Sequence, residues 1–381
     1  MANNNDKKVL NVPDLRFPEF SGEWVETELQ DIVPNICSGK DRISNSGEVA
    51  LYGSTGVIGR TNSASYKENI VLVARVGANA GQMQIGNAPC GVTDNTLVID
   101  AKEWNYYIYY FLQHYNLNRL VFGSGQPLIT GGMLKRIKVR YGCKAERNNI
   151  TRLLCLIDER IATQNKIIEK YESLIQAMCD TLIESEQLKV ELSFNDFGKP
   201  YSGLSGKSAE DFGNGWPYIT YMNVYQNQII DITDVGLVKI NETEQQSVVR
   251  YGDILFTLSS ETPDEVGMGA VYLGDAYPLY LNSFCFGVHI TDESKIFSPF
   301  LAYYISTKSF RKAVFPLAQG STRFNLQKND FMKKIFHFPT VKKQSEIYSV
   351  LKAYSDKLSI EKNIVNLLCE QKSYLLRQLF I

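Results

Sequence analysis

The stretch "FGSGQPLITGGMLKRIKV", Phe122–Val139, returns near the other end of the chain as "QGSTRFNLQKNDFMKKIFHF", Gln319–Phe338. Gly123 answers Gly320 and Leu154 answers Leu351, both 197 residues on (320 − 123 and 351 − 154), and "YYF" at Tyr109 answers "YYI" at Tyr303, 194 on (303 − 109). Self-similarity at a fixed offset reports architecture before it reports chemistry. An offset near half of a 381-residue chain predicts two copies of one domain, each large enough to bury its own core.

Within each copy the pattern is α+β. "NIVLVARVG", "GVTDNTLVID" and "LKRIKVRY" in the first, and "PYITYMNV", "GDILFTL", "GAVYLGD" and "FCFGVHIT" in the second, are short β-rich runs between Gly, Asn and Asp turns. Each copy has one helix-like aromatic segment, "NYYIYYFLQHY" and "SPFLAYYISTKSF". Strict βαβα alternation is missing, which argues against a doubly wound sheet.

A long helix closes each copy. Leu154, Ile157, Ile161, Gln164, Ile168, Tyr171 and Ile175 fall at steps of three and four, as do Leu351, Tyr354, Leu358, Glu361, Val365 and Leu368. That is an a/d seam; each helix packs either on its own domain or, as so narrow and strict a stripe favours, on a helix partner. The fold expected is therefore two mixed α/β domains separated by two long antiparallel helices forming an intramolecular coiled coil. The boundaries read as a tail 1–20, domain one 21–146, a central spacer helix 147–188, domain two 189–343 and a C-terminal spacer helix 344–381. Polar Gln164 and Glu361 sit at matching seam positions, either setting register or simply exposed. About 35 helical residues span roughly 50 Å.

Composition narrows the function. With 44% hydrophobic and 21% charged residues the chain resembles an ordinary globular protein. No run approaches a membrane span and "MANNNDKK" lacks the core of a signal peptide, so a cytoplasmic location is expected. Lys and Arg total 40 against 41 Asp and Glu, so any basic surface is local. Seven cysteines without a CxxC, and three histidines, offer no zinc spacing; the cysteines read as buried reduced thiols.

The search for catalytic motifs is negative. "GKS" at Gly206–Ser208 has Tyr201 where a P-loop needs glycine. HExxH, an EF-hand loop, GxSxG, an Asn/Asp-Pro-Pro-aromatic motif and a nuclease metal signature are all absent from the sequence. The chain reads as built to bind. Its loops, "SGKDR", "YGSTGVIGRT", "ARVGANAG", "GSGQP", "GLSGKS", "SSET" and "GSTRFN", carry the Gly, Ser, Thr, Asn, Gln and isolated Arg and Lys that suit phosphates and base edges, and that also make ordinary turns.

The order of "LRFPEFSGEWVETELQDI", "LYGSTGVIG", "ARVGANAG", "VTDNTLVI", "GLSGKS...ITYMNV", "GSTRFNL" and the two "IDERIATQNKIIEKY"-like helices resembles the DNA-specificity (S) subunit of Type I restriction-modification systems. The resemblance implies two target-recognition domains, each reading one half of a split double-stranded DNA sequence. The paired helices set the gap and dock two methyltransferase subunits, which motor-nuclease subunits join. It implies no catalytic residue, metal or cofactor in this chain, with S-adenosylmethionine, ATP and Mg used by the partners. A specificity subunit of a methylation-only or phase-variable system, and a two-domain scaffold that does not bind DNA, stay open as alternatives.

On the matching loops, the DNA-contact candidates are Lys40, Arg42, Tyr52, Ser54, Arg60, Arg75, Asn79 and Gln126 in the first domain. In the second they are Lys207, Thr220, Tyr221, Asn223, Ser259, Arg323 and Asn325. Arg75 has a structural alternative, pairing with a carboxylate such as Asp94. The first domain looks shorter ahead of "ARVG", where Ile70 answers Ile254 at only 184 (254 − 70). Any closure of the N-terminal segment onto the last helix falls to the region of Trp24.

Overall fold

A computed structural model describes residues 11–33, 35–121 and 127–381. The chain divides into two compact units, Met1–Asn165 with Asn363–Ile381, and Lys166–Lys362.

In the first unit the strands are β1 (Val25–Glu28), β2 (Ile36–Ser38), β3 (Val49–Gly53), β4 (Gly56–Thr61), β5 (Ile70–Ala74), β6 (Met83–Gly86), β7 (Cys90–Val92), β8 (Thr96–Ile99) and β9 (Lys138–Tyr141). They form sheets in the orders β2-β8-β5-β6, β4-β3-β7 and β1-β9, with β3 and β7 parallel. Every residue of β5, "IVLVA", is buried, the behaviour of a β-branched run covered on both faces. The aromatic helix Asn105–Tyr115 lies in the same core and ends at Asn116 in the left-handed conformation (φ 59), which Asn tolerates.

The second unit repeats this plan. Its strands are β10 (Lys189–Leu192), β11 (Gly198–Ser202), β12 (Phe212–Ile219), β13 (Val235–Val238), β14 (Ile254–Thr257), β15 (Ser259–Ser260), β16 (Gly269–Val271), β17 (Tyr280–Leu281), β18 (Cys285–Ile290), β19 (Ala318–Gln319), β20 (Phe324–Leu326) and β21 (Phe336–Pro339). The orders β11-β18-β14-β16, β13-β12-β17 and β10-β21 match those of the first unit sheet for sheet, down to the parallel pair β12–β17. A further small sheet, β15-β20-β19, holds the "GSTRFNL" loop.

Strand register corrects two of the offsets read from sequence. Val71 pairs with Ile99 where Ile254 pairs with Val288, so the counterpart of Ile254 is Val71 and not Ile70. Tyr110 donates to Asp158 Oδ2 (2.8 Å) where Tyr303 donates to Ser355 Oγ (2.9 Å), so Tyr303 corresponds to Tyr110 rather than Tyr109. The backbone bonds Thr93 N–H to Tyr52 O and Asn282 N–H to Ile219 O mark Tyr52 and Ile219 as equivalent. From there to the next matched strand the second unit uses 35 residues (254 − 219) where the first uses 19 (71 − 52).

Two expected elements break. "PYITYMNV" is strand only through Ile219, because the Thr220 hydroxyl accepts from Asn223 N–H and starts a helix, Tyr221–Gln226. "SPFLAYYISTKSF" becomes two helices, Ser298–Tyr304 and Lys308–Val314, with Thr307 capping the second.

The long helices are Lys144–Glu184, 41 residues, and Val341–Leu379, 39 residues. None of Leu154, Ile157, Ile161, Gln164, Ile168, Tyr171, Ile175, Leu351, Tyr354, Leu358, Glu361, Val365 and Leu368 is exposed. In the first unit Leu154 shares a core with Leu375 and Leu379, and Lys372 Nζ meets Asp158 Oδ1 at 2.7 Å, an antiparallel register. In the second, Ile175 and Cys179 share a core with Ile347 and Leu351, and Lys362 Nζ meets Glu172 Oε1 at 2.7 Å. Glu361 is buried and paired with Lys357, so the exposed alternative for that position is set aside.

The N-terminal segment closes the first unit. Leu15 N–H donates to Gln378 O (3.0 Å), Trp24 is buried with Leu379 and Phe380, and Arg16 grips the buried Glu146 carboxylate at 2.6 and 2.9 Å. All seven cysteines are free, but Cys143 and Cys369 are exposed, which corrects the uniformly buried reading. Among the described residues no helix is long and apolar enough to cross a membrane, and no His, Cys, Asp and Glu cluster could hold a metal ion.

Candidate nucleic-acid interface

In the first unit the candidates gather on two features. Lys40 and Arg42 are exposed in the loop after β2 and line a shallow hollow with Gly39, Asp41, Ile43, Thr93 and Asp94. Asp41 is committed to structure, accepting from Ser65 Oγ (2.6 Å) and Val92 N–H (2.8 Å), while both cations stay exposed. The β3–β4 hairpin carries Ser54, whose hydroxyl donates to Asn95 O (3.1 Å), and Arg60, exposed with one guanidinium nitrogen on Glu48 O (2.6 Å). Exposed Val57 and Ile58 sit on the same hairpin, an apolar tip that composition alone did not single out.

Arg75 follows β5. Its backbone N–H bonds Asn95 O and its carbonyl receives Ile129 N–H, which fixes the main chain on both sides. The guanidinium reaches Ser38 Oγ at 3.4 Å, and its Nε is buried without a hydrogen-bond partner. The anticipated alternative, a pair with Asp94, does not form among the described residues. Asn79 is exposed and accepts from Gln82. Gln126 lies outside the described residues.

Three candidates turn inward, and each corrects the expectation of a free contact. Tyr52 is 8% exposed and its hydroxyl accepts from Asn87 N–H. Asn223 is fully buried, donating to Asp231 O and Asp234 O, so it closes the loop of the longer unit. The Lys207 side chain is 4% exposed and paired with Glu244 at 2.5 Å. In each case the polar atoms are spent inside the fold, as buried polar groups must be. Thr220 is a helix cap, and Ser259 is buried in β15 with its carbonyl receiving Tyr221 Oη–H (2.7 Å).

What remains outward in the second unit is concentrated. Arg323 and Asn325 are exposed on the "GSTRFN" loop. Arg323 lines a hollow with Tyr221, Met222, Tyr225, Ser259, Ser260, Glu261 and Glu265. Tyr221 and Tyr225 stack with centroids 6.0 Å apart. Tyr225 Oη–H (2.7 Å) and Ser260 Oγ–H (3.1 Å) donate to Glu265, and these bonds hold its carboxyl below the usual range and therefore ionised near neutrality. Phe284, which the sequence reading passed over, is 56% exposed, and the Arg323 guanidinium carbon lies 5.9 Å from its ring centroid.

The histidines are structural. His289 Nδ1 meets buried Asp253 at 2.9 Å and stacks on Tyr201, His114 packs on Phe380, and His337 lies 3.3 Å from Glu191. The arrangement offers loops of donors, acceptors and aromatic faces on two copies of one scaffold, a class of protein that binds through its turns.

The comparisons name that class. The family described as "Type I restriction modification DNA specificity domain" matches residues 21–173 and 202–369, one match for each copy. The chain belongs to that family, and its two units are DNA-specificity domains. Among solved structures it is similar to the S subunit of a Type I restriction-modification system from M. genitalium, with TM-score 0.61 and 17% identity over 97% of this chain and 99% of that one. It is similar also to a chain from a structural study of complex assembly and conformational transition of the type I R-M system, with TM-score 0.55 and 14% identity over 96% and 98%. These likenesses are of fold. No curated protein matches the sequence.

Proposed function

We propose that this chain is the non-catalytic specificity subunit of a Type I restriction-modification complex, in which each unit reads one half of a bipartite double-stranded DNA target. The observation that carries the reading is the duplication itself. One scaffold appears twice in a single chain, with the same strand orders and different outward residues, which suits two different half-sequences. The paired helices, 41 and 39 residues long, are the natural spacer.

Their outer faces support a second role. Leu156, Leu174, Ile360, Leu367 and Tyr374 are exposed on them, and large exposed apolar side chains on a soluble helix pair fit docking of partner subunits. Two methyltransferase subunits would supply S-adenosylmethionine-dependent adenine methylation, and motor-nuclease subunits the ATP- and Mg-dependent cleavage. With a net charge of −1, the chain alone neutralises few phosphates, so tight binding belongs to the complex. Cytoplasmic residence accords with that work.

The test is the methylation pattern of a host with and without this gene, expressed beside its methyltransferase. Loss of one split adenine-methylated motif with the gene is the expected result. An unchanged pattern with an active methyltransferase would favour the scaffold reading.

A further inference from the structure

We propose that Phe284 and Arg323 form a paired reader in the second unit, with Phe284 taking the 5-methyl group of a thymine and Arg323 the O6/N7 edge of an adjacent guanine. The proposal rests on the DNA-reading function and adds the chemistry of one step in the target.

Phe284 is presented from a backbone fixed on both sides: its N–H donates to Asn282 Oδ1 (2.9 Å) and its carbonyl accepts from Leu258 N–H (2.9 Å). Its ring nonetheless stays in water, while the next phenylalanine along, Phe286, is fully buried. Arg323 is exposed, and among the described residues it makes no ion pair; its guanidinium carbon lies 5.9 Å from the centroid of the Phe284 ring. A guanidinium left unpaired keeps its fork of donors for a bidentate acceptor, and guanine O6 and N7 are the base edge that matches it.

The surroundings favour a base edge over a phosphate. The hollow beside Arg323 contains Glu261 and the ionised Glu265 against this one guanidinium, so a backbone phosphate would be repelled. Guanine O6 and N7 carry only partial negative charge, so the same carboxylates oppose them far less than a full phosphate charge. The thymine methyl is the apolar mark of the major groove, and Phe is among the side chains that meet it. Adjacent base pairs rise by about 3.4 Å, so the 5.9 Å from ring centroid to guanidinium can bridge neighbouring base edges that are also offset sideways.

The equivalent corner of the first unit lacks this pair. The bond from Arg75 N–H to Asn95 O matches that from Leu258 N–H to Phe284 O, which places Asn95 where the second unit has Phe284. The methyl dependence should therefore be confined to one half-site.

The experiment measures binding of the full chain, assembled with its methyltransferase, to its mapped target and to duplexes in which the thymines of one half-site are replaced by deoxyuridine. Wild type should lose about fourfold in affinity from uracil in the half read by the second unit, the worth of one buried methyl-sized group, and nothing from the other half. Phe284→Ala should bind the thymine duplex as weakly as wild type binds the uracil one and be blind to the methyl, while Phe284→Leu retains the dependence. Arg323→Ala should lose discrimination at the neighbouring guanine. Wild-type indifference to the methyl, methyl dependence surviving in Phe284→Ala, or a second half-site without a thymine and a guanine in adjacent base pairs would overturn the pairing while leaving DNA reading intact. Absence of any sequence-specific binding by the complex would overturn both.

Discussion

The same corner is built twice and filled differently. After β5 the first unit places Arg75 against Asn95; after β14 the second places Leu258 against Phe284, with the same backbone hydrogen bond in both. The scaffold is held by main-chain register, so side chains at the corner are free to change. That separation is what a reader of varied sequences needs: backbone geometry fixes position, and side chains carry the specificity.

The largest expected difference between the units lies in how each is locked. Arg16→Ala should cost about 3–5 kcal/mol of first-unit stability in denaturant unfolding, because it strands the buried Glu146 carboxylate. Lys343, 197 residues after Glu146 (343 − 146), makes only half-exposed contacts to Glu186 and Glu346, so Lys343→Ala should cost under about 1 kcal/mol. Equal costs would break the comparison.

At the corner itself the effects should cross. Arg75→Ala should cost about 1–3 kcal/mol of binding and relax specificity only in the half-site of the first unit, with stability little changed. Leu258→Ala, removing a side chain packed on the second core, should lower the unfolding midpoint of that unit instead. Smaller still, Lys40→Ala and Arg42→Ala should weaken binding to all sequences alike and reduce the salt slope by about one each. Lys207→Ala should leave the slope unchanged, since its charge is sequestered by Glu244.

The smallest effect is a pH dependence peculiar to the first unit. Burial lowers the pKa of His114, against a hydrogen bond to the Leu376 carbonyl that raises it. The unfolded chain then takes up the proton first as pH falls, so stability is full above about pH 6.5 and declines from there down to the folded-state pKa. His114→Gln should flatten the fall in thermal midpoint between pH 7.5 and 5; a variant as steep as wild type would remove His114 as the cause.

The architecture was legible because it is periodic. The a/d positions are a spacing rule, and Gln164 and Glu361 kept the rule even where they broke its chemistry. The contact residues were less legible, since a polar residue in a turn reads the same whether it faces solvent or closes the loop. Asn223 and Lys207 look like DNA contacts in sequence and are internal ties in the fold. Phe284 errs in the other direction. "SFCF" places it in step with buried Phe286, but β18 begins only at Cys285, and the Asn282 turn carries the ring into solvent.

If two readers are spaced by one helix pair, the methylation motif produced after inserting one heptad into each long helix at matched seam positions will show it. Seven residues add roughly 10 Å, about three base pairs. The same two half-sequences with a gap longer by that amount are expected; an unchanged gap, or altered half-sequences, would rule out the helix pair as spacer.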